Sequence, residues 1–277
     1  MGKLVWCSDI HLDHADIGVR AKFYEKINRE LSASGADRVL LTGDVSTGNF
    51  ITIHLGEMAE AVKAPISFVL GNHDYYNVNI EWNRSIMEML TLGDERLSYL
   101  PVARVVHLSD STALVGHDGW YDGRHGVCES EVVMNDWLKI ANFAYNNAVS
   151  GWRPKYDVIL KLARSLADDA SRHVAAVVDE AAGRYDKVIV ATHFPPFVDA
   201  HVHGEKKAGD EYLPWYTSKV MGDMLLELAS KHKNKKIEVY CGHTHSKKSV
   251  TVAPNLEVHV AAAEYRAPDI AGVIEYD

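Results

Sequence analysis

The sequence predicts a mixed α/β fold built on two β-sheets. Three observations carry this. Over residues 3–92, short apolar runs alternate with helical patterns, as expected for parallel strands joined by crossover helices. Later in the chain, apolar runs follow one another closely, which argues for antiparallel pairing. Between these regions lies a stretch with helical periodicity and no clear strand.

The elements follow in order. Apolar runs at 3–8, 38–43 and 66–71 predict the first three strands. Residues 18–33 predict a helix that stops near Gly35, residues 50–63 one that stops before Pro65, and residues 80–92 one that stops at Gly93. Further strands are predicted at 103–108, 112–117, 187–193, 236–242, 249–252 and 256–263. In the middle, Ile159, Leu162, Leu166, Ala170, Val174, Val177, Val178 and Ala181 recur at helical spacing, so 156–183 predicts one long amphipathic helix covering a sheet face. Pro154 stands where that helix begins. Residues 130–149 predict another helix, and 119–126 and 201–216 predict loops. The whole reads as a single domain, 1–277, with a helical insertion at about 120–185 that partly caps a site. Residues 120–155, with Trp137 and Trp152, are the better candidates for the cap.

Composition sets limits on function. The chain has 277 residues, 47% of them apolar and 24% charged, enough for a sizeable core. Its net charge of −9 disfavours extended nucleic-acid binding, which relies on phosphate neutralisation. The basic run KHKNKK (231–236) reads as a helix end, where cations complement the dipole. The tryptophans read as core and packing residues. No stretch is long and apolar enough to span a membrane. The cysteines, Cys7, Cys128 and Cys241, are odd in number and form no CxxC pair, which fits a reducing cytoplasm. No sequence feature sets an oligomeric state.

One event recurs along the chain: an apolar strand ends and a metal-ligand residue type follows. VWCSDIH supplies Asp9 and His11, and VLLTGD supplies Asp44. FVLGNHD supplies Asn72, His73 and Asp74. VIVATH supplies His193, and VYCGHTH supplies His243 and His245. In α/β sheets, ligands bind beyond the carboxyl ends of strands, so these groups are placed to converge. In extended backbone, residues i and i+2 point to one side, so Asp9/His11 and His243/His245 each suit chelation of one cluster. A single Asp or His after a strand is usually a turn or cap residue. The coincidence of five strand ends is the signal.

The set D-x-H (9–11), G-D (43–44), G-N-H-D (71–74), a lone His (193) and G-H-T-H (242–245) resembles the calcineurin-like metallophosphoesterase family, in the family's order. The resemblance implies a four-layer sandwich, two mixed sheets flanked by helices, with a two-metal centre at the strand ends. It implies that Asp9, His11, Asp44 and His245 hold one metal. Asp44, Asn72, His193 and His243 hold the other, and Asp44 bridges. His73 then faces the substrate as general acid, oriented by Asp74.

Oxygen and imidazole donors without thiolate suit Mn, Fe, Zn or Co, with manganese favoured. Two divalent ions against the carboxylates of Asp9 and Asp44 leave a net positive centre, suited to a small phosphate ester. The expected reaction is direct attack by a metal-bridging hydroxide on a phosphodiester or phosphomonoester. The protein Ser/Thr phosphatases of this superfamily resemble G-D-x-V-D-R-G and R-G-N-H-E. Here GDVSTGN (43–49) and LGNHD (70–74) lack the arginines, which argues against a protein phosphatase. Arg124, His201 and His203 are candidate substrate contacts. The alternatives are a metal-dependent nuclease acting on short oligonucleotides and a non-catalytic scaffold of the same fold.

Overall fold

The computed structural model describes residues 1–128, 132–146, 148–150, 153–200 and 211–277. Strands β1 (Gly2–Cys7), β2 (Arg38–Thr42), β3 (Ile66–Val69) and β4 (Leu97–Tyr99) run parallel in one sheet. Helices α1 (Ile17–Ser34), α2 (Ile51–Ala61) and α3 (Ile80–Gly93) make the crossovers. Asp16 caps α1 by accepting from the Val19 amide, and Gly35 ends it in the left-handed region at φ 73°. The last strand, β13 (Gly272–Tyr276), closes the sheet antiparallel to β1, giving the order β13-β1-β2-β3-β4.

The second sheet takes β5 (Val105–His107) after a helical turn, α4 (Leu100–Ala103), and then β6 (Thr112–Gly116). Two short helices follow, α5 (Asn135–Lys139) and α6 (Ala141–Tyr145), then a small ribbon of β7 (Val149–Ser150) and β8 (Arg153–Pro154). Next come α7 (Tyr156–Ala182), β9 (Lys187–Ala191), α8 (Leu213–Tyr216), α9 (Lys219–Lys231) and β10 (Lys236–Cys241). A hairpin, β11 (Lys248–Ala253) and β12 (Leu256–Val260), completes the order β11-β12-β10-β9-β6-β5.

The sheets pack face to face. Leu4, Trp6, Leu40 and Val69 from one meet Leu114, Ile189, Ala191 and Tyr240 from the other. The alternate residues Val5, Cys7, Val39, Leu41 and Phe68 face the helices. Both faces of these strands are buried, so they read as continuous apolar runs. The long helix α7 covers the second sheet as expected, with Val174, Val177, Val178 and Ala181 in that core.

Three expectations need correction. The later strands are not mainly antiparallel: β6, β9, β10 and β12 pair in parallel, and only the edges β5 and β11 reverse. The reason is that α7 and α9 act as crossovers between them. Residues 130–149 do not form one helix. Ile140 breaks it with extended backbone (φ −85°, ψ 124°), buries its side chain, and leaves the Ala141 amide to donate to the Val78 carbonyl. The loop 201–216 contains α8 in its described part. The basic run does end a helix, and four of its residues are paired: Lys231 and His232 with Asp179, Lys235 with Asp186 and Lys236 with Glu238.

Candidate metal centre

The site lies where β1, β2, β3, β9 and β10 end. Backbone geometry there is unusual. Asp9, His11, Asp44, His243 and His245 all have positive φ, between 40° and 68°. They are five of the eight such non-glycine residues among those described. This conformation is costly for residues with a Cβ and persists where surrounding contacts enforce it. The turns are locked together: the Asp9 amide donates to the Gly43 carbonyl at 3.0 Å, and the His11 amide to the Asp44 carbonyl at 3.0 Å. Gly43 lies at φ 93°, where an added Cβ would stand 2.5 Å from the His193 ring, and one on Gly242 would strike the Asp9 carboxylate. Only glycine lets these turns approach so closely.

Two clusters result. Asp9, His11, Asp44 and His245 bring donor atoms within 4.8 Å of one another, and so do Asp44, His193 and His243. Asp44 belongs to both. The Asn72 Oδ1 joins the second cluster, 3.1 Å from both His193 Nε2 and His243 Nδ1. The i, i+2 reasoning from extended backbone is corrected by the left-handed turns: Asp9 and His11 share a cluster, whereas His243 and His245 divide between the two.

The donor set fits cations. The Nε2 atoms of His11 and His245 face each other at 3.3 Å. His11 Nε2 also lies 3.8 Å from Asp44 Oδ2 and His245 Nε2 3.3 Å from Asp9 Oδ1, so imidazole and carboxylate donors of four residues converge. Both carboxylates are buried. Burial alone would raise Asp9, but the hydrogen bond to His245 and the His193 charge outweigh it and hold the carboxyl below its ordinary range. Asp44 is held well below that range, its burial likewise outweighed by the surrounding imidazoles. Burial takes His11 down to about 3, against the pull of Asp44. His193 goes the other way: the Asp44 charge and hydrogen bond overcome burial and raise it to about 10. Its Nδ1 meets the Thr42 carbonyl at 2.9 Å, which leaves Nε2 facing the cluster. A cation entering the second cluster would displace that proton.

The predicted roles around His73 need one correction. The Asp74 carboxylate does not orient His73. It accepts from the Ser46 and Gly71 amides, both at 2.8 Å, and so fixes the turn that carries Asn72 and His73. The His73 ring stacks on Tyr76 at 4.3 Å, stands edge-on to His11 at 4.7 Å, and its Nδ1 has no hydrogen-bond partner. Beneath this turn, buried Asp118 accepts from the Leu70 amide, the Tyr75 and Tyr99 hydroxyls and Arg84.

A pocket of about 300 Å³ opens onto Asp44, Asn72, His73, His243 and His245. Its walls are Tyr76, Tyr212, Tyr216 and Tyr265, with Val133–Asp136 from the insertion. Tyr265 stacks on His11 at 4.4 Å, and Tyr216 packs against His243 at 4.8 Å. Arg124 does not line it. That side chain is engaged by Asp122 at 3.2 Å and Asp168 at 2.7 Å, against the α7 layer. His201, His203 and Trp152 lie outside the described residues.

Sequence reasoning missed Tyr76, Asp136, Tyr216 and Tyr265. Tyr265 follows β12 by the same strand-end logic, but a phenol is not a metal-ligand type and raised no signal. Asp136 is a lone acid in a stretch read as helix.

Comparison with known proteins agrees with this geometry. The family profile described as calcineurin-like phosphoesterase matches residues 2–247. No curated protein sequence matches the chain. Among solved structures, a dimetal phosphatase from Danio rerio is similar at TM-score 0.62 and 14% identity, covering 98% of this chain and 91% of that one. The phosphopantetheinyl hydrolase PptH from Mycobacterium tuberculosis gives TM-score 0.59 at 16% identity, covering 96% and 90%. GAP50, the anchor in the inner membrane complex of Plasmodium, gives 0.52 at 12% identity, covering 94% and 71%. At such identities these likenesses establish the fold alone. The family match over nearly the whole chain, together with the two Asp/His clusters, places the protein in the calcineurin-like phosphoesterase family.

Proposed function

We propose that the protein hydrolyses phosphate esters of small molecules at the Asp/His centre, with phosphodiesters preferred over phosphomonoesters. The observation that carries this reading is the pocket, which has no lysine or arginine among its described lining residues. A monoester dianion would leave its second charge without a counter-charge, beside the Asp136 carboxyl. A diester carries one charge, and its second substituent suits the tyrosine walls.

When bound, two divalent ions supply charge neutralisation of the phosphoryl oxygens and an attacking water that is ionised near neutral pH. Asp9, His11, Asp44 and His245 would hold one ion, and Asp44, Asn72, His193 and His243 the other. Manganese is favoured over iron, zinc or cobalt. His73, on the pocket wall, donates the proton to the leaving oxygen. Asp74 acts indirectly, by fixing the turn. The chain works as one domain, with Val133–Asp136 of the 120–185 insertion as a partial cap that restricts substrate size. The buried, unbridged thiols of Cys7 and Cys241 suit the cytoplasm. A nuclease has less support, because the described pocket offers no cationic track for a nucleic-acid backbone. A scaffold has less support, because both Asp/His clusters are present.

The test is steady-state hydrolysis of bis(nitrophenyl) phosphate and nitrophenyl phosphate, with Mn²⁺ and with chelator. The expected result is metal-dependent turnover with a higher kcat/KM for the diester. A monoester preference would sink the diester reading, and turnover of neither would sink the phosphoesterase reading. In the same assay His73→Ala should keep both ions and lose about 10²–10⁴-fold on esters with poor leaving groups. Equal loss on good and poor leaving groups would remove His73 as the acid.

A further inference from the structure

The insertion meets the centre at Asp136. Asp136, at the second position of α5, is fully buried. Its Oδ1 accepts from the Asn72 Nδ2 at 2.8 Å and from the Tyr76 hydroxyl at 2.8 Å. The Asn72 Nδ2 also reaches the Tyr76 oxygen at 3.3 Å. These contacts decide which way the Asn72 amide faces. With Nδ2 held toward Asp136, Oδ1 must turn toward His193 and His243. The same carboxylate holds the Tyr76 phenol, and the Tyr76 ring carries the His73 ring at 4.3 Å.

The surrounding backbone fastens this arrangement. The Asn77 amide donates to the Lys139 carbonyl at 2.8 Å and the Ala141 amide to the Val78 carbonyl at 3.1 Å. The Ile80 amide donates to the Asn142 side chain at 2.8 Å. The segment 135–142 is thus stitched to the turn that follows Asn72 and His73.

We propose that Asp136 is a positioning residue for the second ion: it fixes the Asn72 carbonyl oxygen for coordination and the Tyr76 platform for His73. This rests on the two-ion reading given above. Partners behind a ligand commonly change metal affinity about 10–100-fold when removed. What Asp136 supplies here is an acceptor at a fixed place. An asparagine can offer the same acceptor through its own carbonyl oxygen, whereas alanine cannot.

The experiment is a titration of the ion-free protein with Co²⁺, followed by calorimetry and by the visible spectrum of the bound ion. It compares wild type, Asp136→Ala and Asp136→Asn. The wild type decides the underlying reading, since fewer than two bound ions would refute the two-ion centre itself. Given two ions, Asp136→Ala should weaken one of them about 10–100-fold, leave the other within threefold, and change the spectrum of the weakened site. Asp136→Asn should restore both affinity and spectrum. Unchanged binding in Asp136→Ala would overturn the proposal. So would equal weakening of both ions, which marks a general structural loss, or failure of Asp136→Asn to restore, which marks a need for charge. Should Asp136→Ala not fold by circular dichroism, Asp136→Leu fills the same space without an acceptor and is read by the same criteria.

Discussion

The two halves of the centre share Asp44 and are otherwise built differently. In the half formed by Asp9, His11 and His245, the Ser8 hydroxyl and the His243 amide hold Asp9, but the two imidazoles lean on each other and on Asp9. His245 contacts Asp9 at 3.3 Å and remains partly exposed, and His11 Nδ1 has no partner. In the half formed by Asn72, His193 and His243, groups outside the cluster hold two of the three donors, while His243 leans on Asn72. The Thr42 carbonyl orients His193, and Asp136 orients Asn72. His193 is completely buried. The difference teaches that donor atoms alone do not make two sites equal. Orientation by outer partners prepays the cost of ordering the ligands, so the second half should bind its ion more tightly.

The largest expected effect tests what the halves have in common. Asp44→Ala should remove both ions and lower kcat/KM by at least about 10³-fold, roughly 4 kcal/mol of barrier. Metal analysis after gel filtration and diester hydrolysis check this. Retention of one ion with near-normal turnover would mean the halves are independent. The next effect tests the difference itself. Graded chelation should strip the Asp9/His11/His245 half first, with an affinity gap of about 10–100-fold. Competition titrations of His11→Ala and His193→Ala assign the steps, and equal affinities or the reverse order would break the comparison. The smallest effect sharpens it. Tyr265 stacks on His11 at 4.4 Å and packs on His245 at 5.1 Å, both in the first half, and an aromatic pair contributes about 0.5–1.5 kcal/mol. Tyr265→Ala should weaken the first ion roughly 2–10-fold and leave the second unchanged. An equal shift at both sites would place Tyr265 outside this role.

Much of the fold was legible because its physics is local. β1, β2 and β3 are buried on both faces, so their apolar runs stand out. The Gly35 stop and the apolar stripe of α7 are likewise written in adjacent residues. The strands β4 and β13 were not legible. β4 is three residues long, and β13 becomes a strand by pairing with β1 at the other end of the chain. The parallel order of the second sheet was also hidden, since a crossover helix can be recognised only when its neighbours are known.

By itself, the sequence determined that Asp, Asn and His residues stand at five strand ends, with glycine where turns must approach closely. It thereby carried the family resemblance and the choice of oxygen and imidazole donors. Only the tertiary structure decided that Asp74 serves backbone amides, that Arg124 pairs with Asp122 and Asp168, and that Asp136 stands behind Asn72. The physical reason is range. Residue type and spacing set what a strand end can offer within a few bonds. Which way each donor faces depends on partners dozens to hundreds of residues away, brought together only when the two sheets and the insertion pack.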